Sequence, residues 1–186
     1  MRVENLFWTF GSAIDSKTCD KIIKHGLAQE PVKGMTGKGN VAIDRDSEVV
    51  WLYDSWIMDL INPWVARANK DAGWNFQWEP VDALQFTKYE KGQYYGWHRD
   101  TFSRPSKDGK IRKLSVTVNL GTMYRGGDMY FDPEEKYGIT SPIVNEHLKP
   151  TGSICVFPSD IWHKVDKVTD GTRYSLVVWL IGKQWR

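Results

Sequence analysis

The sequence has few cysteines, no strong excess of either charge and no long hydrophobic run. Its two cysteines among 186 residues, Cys19 and Cys155, are typical of a reducing compartment, although a single bridge between them stays open. The net charge of +2, with acidic and basic residues interspersed, argues against nucleic-acid or membrane binding. No apolar segment approaches the length that spans a bilayer, and the first residues lack a secretion-signal pattern. We therefore expect a monomeric cytoplasmic protein that binds neither nucleic acid nor a membrane.

The first part of the chain carries helical patterns. Ser16 is expected to cap a first helix that Gly26 ends. A second helix is expected from about Ser55, where apolar residues form one stripe, and Pro63 should kink or split it near Asn62. The intervening residues 31–40 are rich in Gly, Lys and Pro and are expected to form a mobile loop.

From Leu84 onward the apolar residues recur with a period of two, as in β-strands. The last such segment alternates so that both of its faces are mainly apolar, which predicts a strand buried on both sides. The polar residues 101–113 are expected to form a loop. Helices first and short strands later predict a mainly β (α+β) protein, an antiparallel sandwich or barrel with supporting N-terminal helices. With no repeat or linker, residues 1–186 are predicted to form one domain.

The most informative motif is His98-Arg99-Asp100, followed much later by His163. On an extended segment, residues two apart project from the same side, so the histidine and the carboxylate can bind one ion. Two neutral imidazoles and one carboxylate form the facial triad of non-haem Fe(II) oxygenases. Taken alone, a His-x-Asp tripeptide is equally compatible with a surface or hydrogen-bonded core histidine.

A charged residue opens the most apolar segment of the protein. Arg173 and Ser175 lie on one face of that strand, where a guanidinium and a hydroxyl can bind the same anion. The alternative is an internal salt bridge from Arg173 to an acidic residue. The sequence pattern leaves both readings open.

Several of these motifs, in this order and spacing, resemble a known family. The run from Tyr89 to Asp100, Tyr-Glu-Lys-Gly-Gln-Tyr-Tyr-Gly-Trp-His-Arg-Asp, resembles the metal-binding segment of the prolyl 4-hydroxylase-like 2-oxoglutarate/Fe(II) dioxygenases. The run from Gly152 to Ser175, with His163 and Arg173 inside it, is similar to that family's second metal and co-substrate segment. The resemblance covers residues 40–182 and implies a double-stranded β-helix, or jelly roll.

The resemblance also implies residue roles. His98, Asp100 and His163 would bind Fe(II), and Arg173 would pair with the C5 carboxylate of 2-oxoglutarate. The remaining candidates are pocket residues: Tyr89, Thr117 and Ser175 would contact the co-substrate, Tyr95 would line the pocket or pack in the core, and Asn119 would lie near the site or serve only its strand ladder.

The implied reaction is hydroxylation of a C–H bond with Fe(II), 2-oxoglutarate, O₂ and, as a further cofactor, ascorbate. The implied substrate is a proline-containing peptide or protein, acted on by a prolyl 4-hydroxylase. Collagen-type prolyl hydroxylases have lysine where this chain has Arg173, a departure that leaves the co-substrate unchanged and the hydroxylated residue open. Three alternatives therefore stay open: hydroxylation of lysyl residues or a free amino acid, oxidation of alkylated nucleic acid, and a non-catalytic metal-binding jelly-roll module. The nucleic-acid oxygenases are typified by an Arg-x5-Arg motif in the last strand. This chain has Trp179 at the position of the second arginine.

Overall fold

A computed structural model describes residues 5–36, 40–41, 44–81, 83–101, 104–132 and 142–184. Its helices are α1 (Ser16–Leu27), α2 (Ser55–Asp71) and a short 3-10 helix, Glu146–Leu148. The strands, in chain order, are β1 (Trp8–Phe10), β2 (Val32–Lys33), β3 (Met35–Thr36), β4 (Asn40–Val41), β5 (Arg45–Asp46), β6 (Glu48–Leu52), β7 (Leu84–Tyr89), β8 (Tyr94–His98), β9 (Lys110–Asn119), β10 (Tyr124–Gly126), β11 (Met129–Asp132), β12 (Ile143–Val144), β13 (Ile154–Pro158), β14 (Trp162–Val165), β15 (Val168–Gly171) and β16 (Arg173–Lys183).

The strands form two antiparallel sheets. The larger sheet has the order β1-β13-β9-β16-β7-β6-β2, and the smaller has the order β12-β11-β14-β8-β5. Two further pairs, β10 with β15 and β3 with β4, lie outside them. One pocket is lined by residues of both sheets, so the sheets face each other across it. The predicted mainly β jelly-roll class, with helices in the N-terminal part, is confirmed.

The hydrophobic core lies between the two helices and the outer face of the larger sheet. Buried residues of α1 and α2 such as Ile22 and Ile61 pack there with Leu176 and Val178 of β16. The opposite face of β16 points into the pocket through Arg173 and alternate residues after it. The prediction that this strand is buried on both sides is confirmed, because the helices cover one face and the smaller sheet covers the other.

The predicted helix ends need correction. Asp15, not Ser16, caps α1, because its carboxylate accepts a hydrogen bond from the Thr18 backbone N–H at 2.9 Å. Gly26 does not end the helix. It lies within the last turn, and a Cβ there would sit 2.6 Å from the ring of Phe86. The glycine thus permits close packing of helix and sheet.

Pro63 does not split α2, which runs without interruption from Ser55 to Asp71. A proline removes one backbone N–H from the helical ladder, and burial of the apolar stripe compensates for that loss. Ile61 and Val65, on either side of Pro63, are completely buried.

The two predicted loops are partly strands. The segment 31–40 contains β2, β3 and the first residue of β4, and β2 pairs with β6 at the edge of the larger sheet. In the segment 101–113, β9 begins at Lys110. Positions 37–39 and 102–103 of the predicted loops lie outside the described residues. Among the described helices, none has both the length and the apolar character needed to cross a membrane.

Candidate metal centre and anion pocket

The side chains of His98, Asp100 and His163 come together beside the smaller sheet. His98 ends β8 and is the direct cross-strand neighbour of His163 in β14. Asp100 follows two residues after His98. The Nε2 atom of His98 lies 3.7 Å from Oδ1 of Asp100, and the Nε2 atom of His163 lies 3.4 Å from Oδ2. All the potential ligand atoms lie within 4.8 Å of one another.

The other ring nitrogen of each histidine fixes its orientation. Nδ1 of His98 is 2.8 Å from the carbonyl oxygen of Gly96, and Nδ1 of His163 is 2.9 Å from that of Ile161. A carbonyl oxygen only accepts, so each Nδ1 carries the hydrogen, and Nε2 of a neutral ring keeps its lone pair. Two such lone pairs and a carboxylate then converge, an arrangement that a divalent cation satisfies. The donor set fits iron.

The electrostatics keep His98 and Asp100 in their ligating forms. Burial, together with the nearby His163, lowers the pKa of His98 from 6.5 to about 3. Burial acts to raise the pKa of Asp100, but His163, His98 and Arg112 together with a hydrogen bond from Ser115 hold that pKa below its ordinary value of 3.8. At neutral pH His98 is therefore neutral and Asp100 is a carboxylate.

The lowered pKa of His98 predicts how the metal-free protein responds to acid. Because unfolded His98 binds a proton near pH 6.5 and the folded form does so only near pH 3, the unfolded state binds more protons between these values. The free energy of unfolding should therefore fall as pH falls through this window, by at most about 1.4 kcal/mol per pH unit. Urea unfolding at pH 7 and pH 5 measures the change. A His98→Gln variant should show a smaller pH dependence than the native protein, and an equal dependence would contradict the assignment.

Arg173 lies in the wall of the same pocket and is only 2% exposed. One guanidinium nitrogen donates to Oγ of Ser175 at 3.1 Å, whereas the buried Nε has no hydrogen-bond partner in the described part of the chain. Within those residues no carboxylate pairs with Arg173, so the salt-bridge alternative finds no support there. Gly127 makes room for the arginine stem, since a Cβ at this glycine would lie 2.9 Å from Cδ of Arg173. A buried cation without a counter-charge fits a carboxylate ligand.

Most of the other candidates also reach the pocket. Tyr89, Thr117 and Ser175 line it, and Tyr89 pairs directly with Arg173 across β7 and β16. Tyr95 lines it too and stacks on His98 with ring centres 3.5 Å apart. Asn119 is not among the lining residues. Its side-chain amide donates to the carbonyl of Lys149 at 2.5 Å, and its backbone pairs with Ser175 of β16, so the strand-ladder role is observed and the site role stays a prediction.

Sequence reasoning missed two arginines at this site. Arg45 of β5 is 8% exposed, bonds Gln85 at 2.7 Å and lies 4.4 Å above the ring of Tyr95. Arg112 of β9 donates to the backbone carbonyl of Asp100 at 3.3 Å and lies 3.9 Å above the ring of Trp179. Both belong to segments rich in charge, where the sequence does not distinguish an arginine that contacts the site from one that points into solvent. Only the pairing of β5 with β8 and of β9 with β16 places them here.

Comparison with known proteins agrees with this geometry. The sequence profile of the 2OG-Fe(II) oxygenase superfamily matches residues 84–181. A PKHD-type hydroxylase from Shewanella sp. (strain MR-7) is 30% identical over 155 residues, which are 80% of this chain and 62% of that protein. One from Shewanella baltica (strain OS185) is 31% identical over 150 residues, 78% of this chain and 61% of that protein. The chain thus spans about three fifths of these curated relatives.

Solved structures show the same fold at low sequence identity. A prolyl-4-hydroxylase from Pseudomonas putida has a TM-score of 0.73 at 17% identity, covering 98% of this chain and 95% of that one. A prolyl hydroxylase from Trichoplax adhaerens, solved with a peptide fragment of the hypoxia inducible factor, has a TM-score of 0.74 at 18% identity, covering 95% and 84%. The matched profile spans His98, Asp100, His163 and Arg173, and the chain belongs to the 2OG-Fe(II) oxygenase superfamily.

Proposed function

We propose that this protein is an Fe(II)/2-oxoglutarate-dependent dioxygenase that hydroxylates prolyl residues in a peptide or protein. His98, Asp100 and His163 would hold the iron, and Arg173, with Tyr89, Thr117 and Ser175, would hold 2-oxoglutarate. One observation carries the proposal. Three metal-binding side chains converge in the same pocket as a buried guanidinium for which the described residues supply no carboxylate.

The chain's own residues bind and orient the reactants. Arg173 would neutralise the distal carboxylate of 2-oxoglutarate, with the Ser175 hydroxyl beside it. The apolar side chains of Phe157, Met129 and Val177 in the pocket wall exclude water from the site. When bound, the iron supplies O₂ activation, coupling the decarboxylation of 2-oxoglutarate to succinate and CO₂ with insertion of one oxygen atom into a C–H bond. No protein nucleophile is required.

The rest of the pocket wall supports a peptide substrate. The indole N–H of Trp179 is buried without a partner among the described residues and would suit a peptide carbonyl. The PKHD-type hydroxylase relatives support hydroxylation, and the prolyl hydroxylases that share the fold support the same substrate class.

We further propose that residues 1–186 form one catalytic domain, monomeric and cytoplasmic. The two cysteines support a reducing compartment, since both are buried and free.

Succinate release tests the function directly. With Fe(II), ascorbate, O₂ and 2-oxoglutarate, the purified protein should release succinate, and a proline-rich peptide should increase the rate severalfold. A matched peptide with alanine for proline is the control, and mass spectrometry of the peptide should show a gain of one oxygen on proline.

Other outcomes of this assay would favour a different substrate or a different function. Basal turnover that no proline peptide stimulates would contradict the substrate and favour lysyl peptides or free amino acids. Bound iron without any succinate would contradict the enzyme and favour a metal-binding module. Stimulation by alkylated DNA alone would favour the nucleic-acid oxygenases.

A further inference from the structure

The first candidate metal ligand, His98, belongs to a stack of three flat groups. The ring of Tyr95 lies on the ring of His98, with the ring centres 3.5 Å apart and only 9° between the two planes. The guanidinium of Arg45 lies 4.4 Å from the centre of the same tyrosine ring. A ring has two faces, and the closely stacked imidazole covers one of them, so the guanidinium covers the other. Tyr95 is therefore held between a cation and a candidate ligand.

Strand pairing builds this stack. Arg45 of β5 and Tyr95 of β8 are direct cross-strand partners, which places their side chains together. In a regular strand, residues three apart such as Tyr95 and His98 would point to opposite faces. Tyr95 pairs with Val165 and His98 with His163, however, so β8 advances three residues where β14 advances two. This bulge turns both rings of β8 into the same pocket.

Hydrogen bonds and close packing fix the guanidinium on its side of the ring. The Nε atom of Arg45 donates to Oγ of Ser47 at 2.9 Å, and a terminal nitrogen donates to Oε1 of Gln85 at 2.7 Å. The backbone closes over this group at Gly34, where a Cβ would lie 2.6 Å from Nε of Arg45. A planar cation that is packed and bonded in this way cannot rotate freely, so it forms a firm support for the tyrosine ring.

We propose that Tyr95 and Arg45 are positioning residues that fix the plane of the His98 ring and so aim its Nε2 lone pair at the metal. The proposal rests on the metal site proposed above. The bond from Nδ1 of His98 to the carbonyl of Gly96 holds the imidazole at one atom, and a ring held at one atom can still tilt. The stacked tyrosine removes this tilt. In other metalloproteins, losing a group that orients a ligand weakens metal binding by about 10- to 100-fold.

Mn²⁺ binding, followed by the EPR signal of the free ion, tests this without turnover. Tyr95→Leu removes the flat surface and should raise the dissociation constant for Mn²⁺ by about 10- to 100-fold. Tyr95→Phe keeps the ring and should bind Mn²⁺ nearly as tightly as the native protein. The matched control is Tyr174→Leu. Tyr174 is also a partly buried tyrosine in an aromatic stack, but it lies on Phe86 in the core beside the helices.

A second variant tests whether Arg45 acts through the tyrosine. Arg45→Met should weaken Mn²⁺ binding less than Tyr95→Leu does. Added to Tyr95→Leu, it should change the affinity little further, because the ring that it supports is already missing. Arg67→Met is the control for loss of an arginine beside a ring, since Arg67 is exposed and lies 5.6 Å from the ring centre of Phe10. It should leave Mn²⁺ binding unchanged.

The NMR spectrum of the Co²⁺-loaded protein gives a readout that a loss of stability alone would not change. A bound paramagnetic ion shifts the ring N–H signal of each ligating histidine, so His98 and His163 report separately. Tyr95→Leu should move the His98 signal and leave the His163 signal in place. Native Mn²⁺ affinity in folded Tyr95→Leu protein, or an unmoved His98 signal, would overturn the positioning role. Failure of the native protein to bind either ion would instead overturn the metal site, and the positioning role with it.

Discussion

Replacing His163 with alanine should abolish both tight Fe(II) binding and 2-oxoglutarate turnover. His163 is 4% exposed, and its Nε2 atom lies 3.4 Å from the Asp100 carboxylate, so its removal takes one of the three proposed ligands from the candidate centre. We expect the metal affinity to fall by more than about 100-fold, beyond the range seen for supporting groups. Metal binding by calorimetry without O₂, and succinate release with O₂, measure the two losses.

The imidazole also packs in the protein, so the variant needs a control for folding. Its ring contacts that of Phe157 edge-on at 4.6 Å, and alanine would leave a cavity there. His163→Gln keeps most of the volume and should lose metal affinity as well. The exposed His147, replaced by alanine, should leave binding and turnover unchanged. Turnover at the native rate by folded His163→Ala would show that the metal centre is assigned to the wrong residues.

Replacing Arg173 with methionine should separate co-substrate binding from metal binding. A buried charge pair that loses one partner is weakened by about 2–5 kcal/mol, which corresponds to a loss of 2-oxoglutarate affinity of about 30-fold or more. The affinity for Mn²⁺ should stay within about twofold, because Arg173 is not among the three clustered ligand residues. Calorimetric titration with 2-oxoglutarate, in the presence of Mn²⁺ and without O₂, measures the first effect.

The same variant should not destabilise the free protein. Native Arg173 is buried and, among the described residues, has no counter-charge, so an apolar side chain of similar length removes a desolvation cost. We expect an equal or higher melting temperature without ligand. Added 2-oxoglutarate should raise that temperature in the native protein but not in the variant. Arg125→Met, at an exposed position of β10, is the matched control.

Arg173→Lys distinguishes charge from geometry. Lysine keeps the positive charge but cannot make the paired hydrogen bonds of a guanidinium. We expect an affinity between those of the native protein and the methionine variant. If Arg173→Met bound 2-oxoglutarate as tightly as the native protein, the anion would have to bind elsewhere.

Local sequence patterns were sufficient to predict those site residues that lie two positions apart on one strand or segment. The His98-x-Asp100 pair and the alternation along β16, which places Arg173 and Ser175 on one face, could both be read from neighbouring residues. The same was true of the fold class, because the period of the apolar residues changes from helical to strand-like along the chain. Helix ends were less predictable, since Asp15 and Ser16 are both good caps and only the observed hydrogen bond tells them apart.

The sequence by itself determined which residue types were available for a metal and an anion, and the strand that presents the arginine. The tertiary structure decided what lies beside them. It places His163 next to His98 through the pairing of β14 with β8, brings Arg45 into the pocket wall, and sets Arg112 against the backbone carbonyl of Asp100. These contacts join residues far apart in the chain, and strand register and burial fix them. No local spacing encodes such pairings, so the groups that orient the site became visible only in the folded protein.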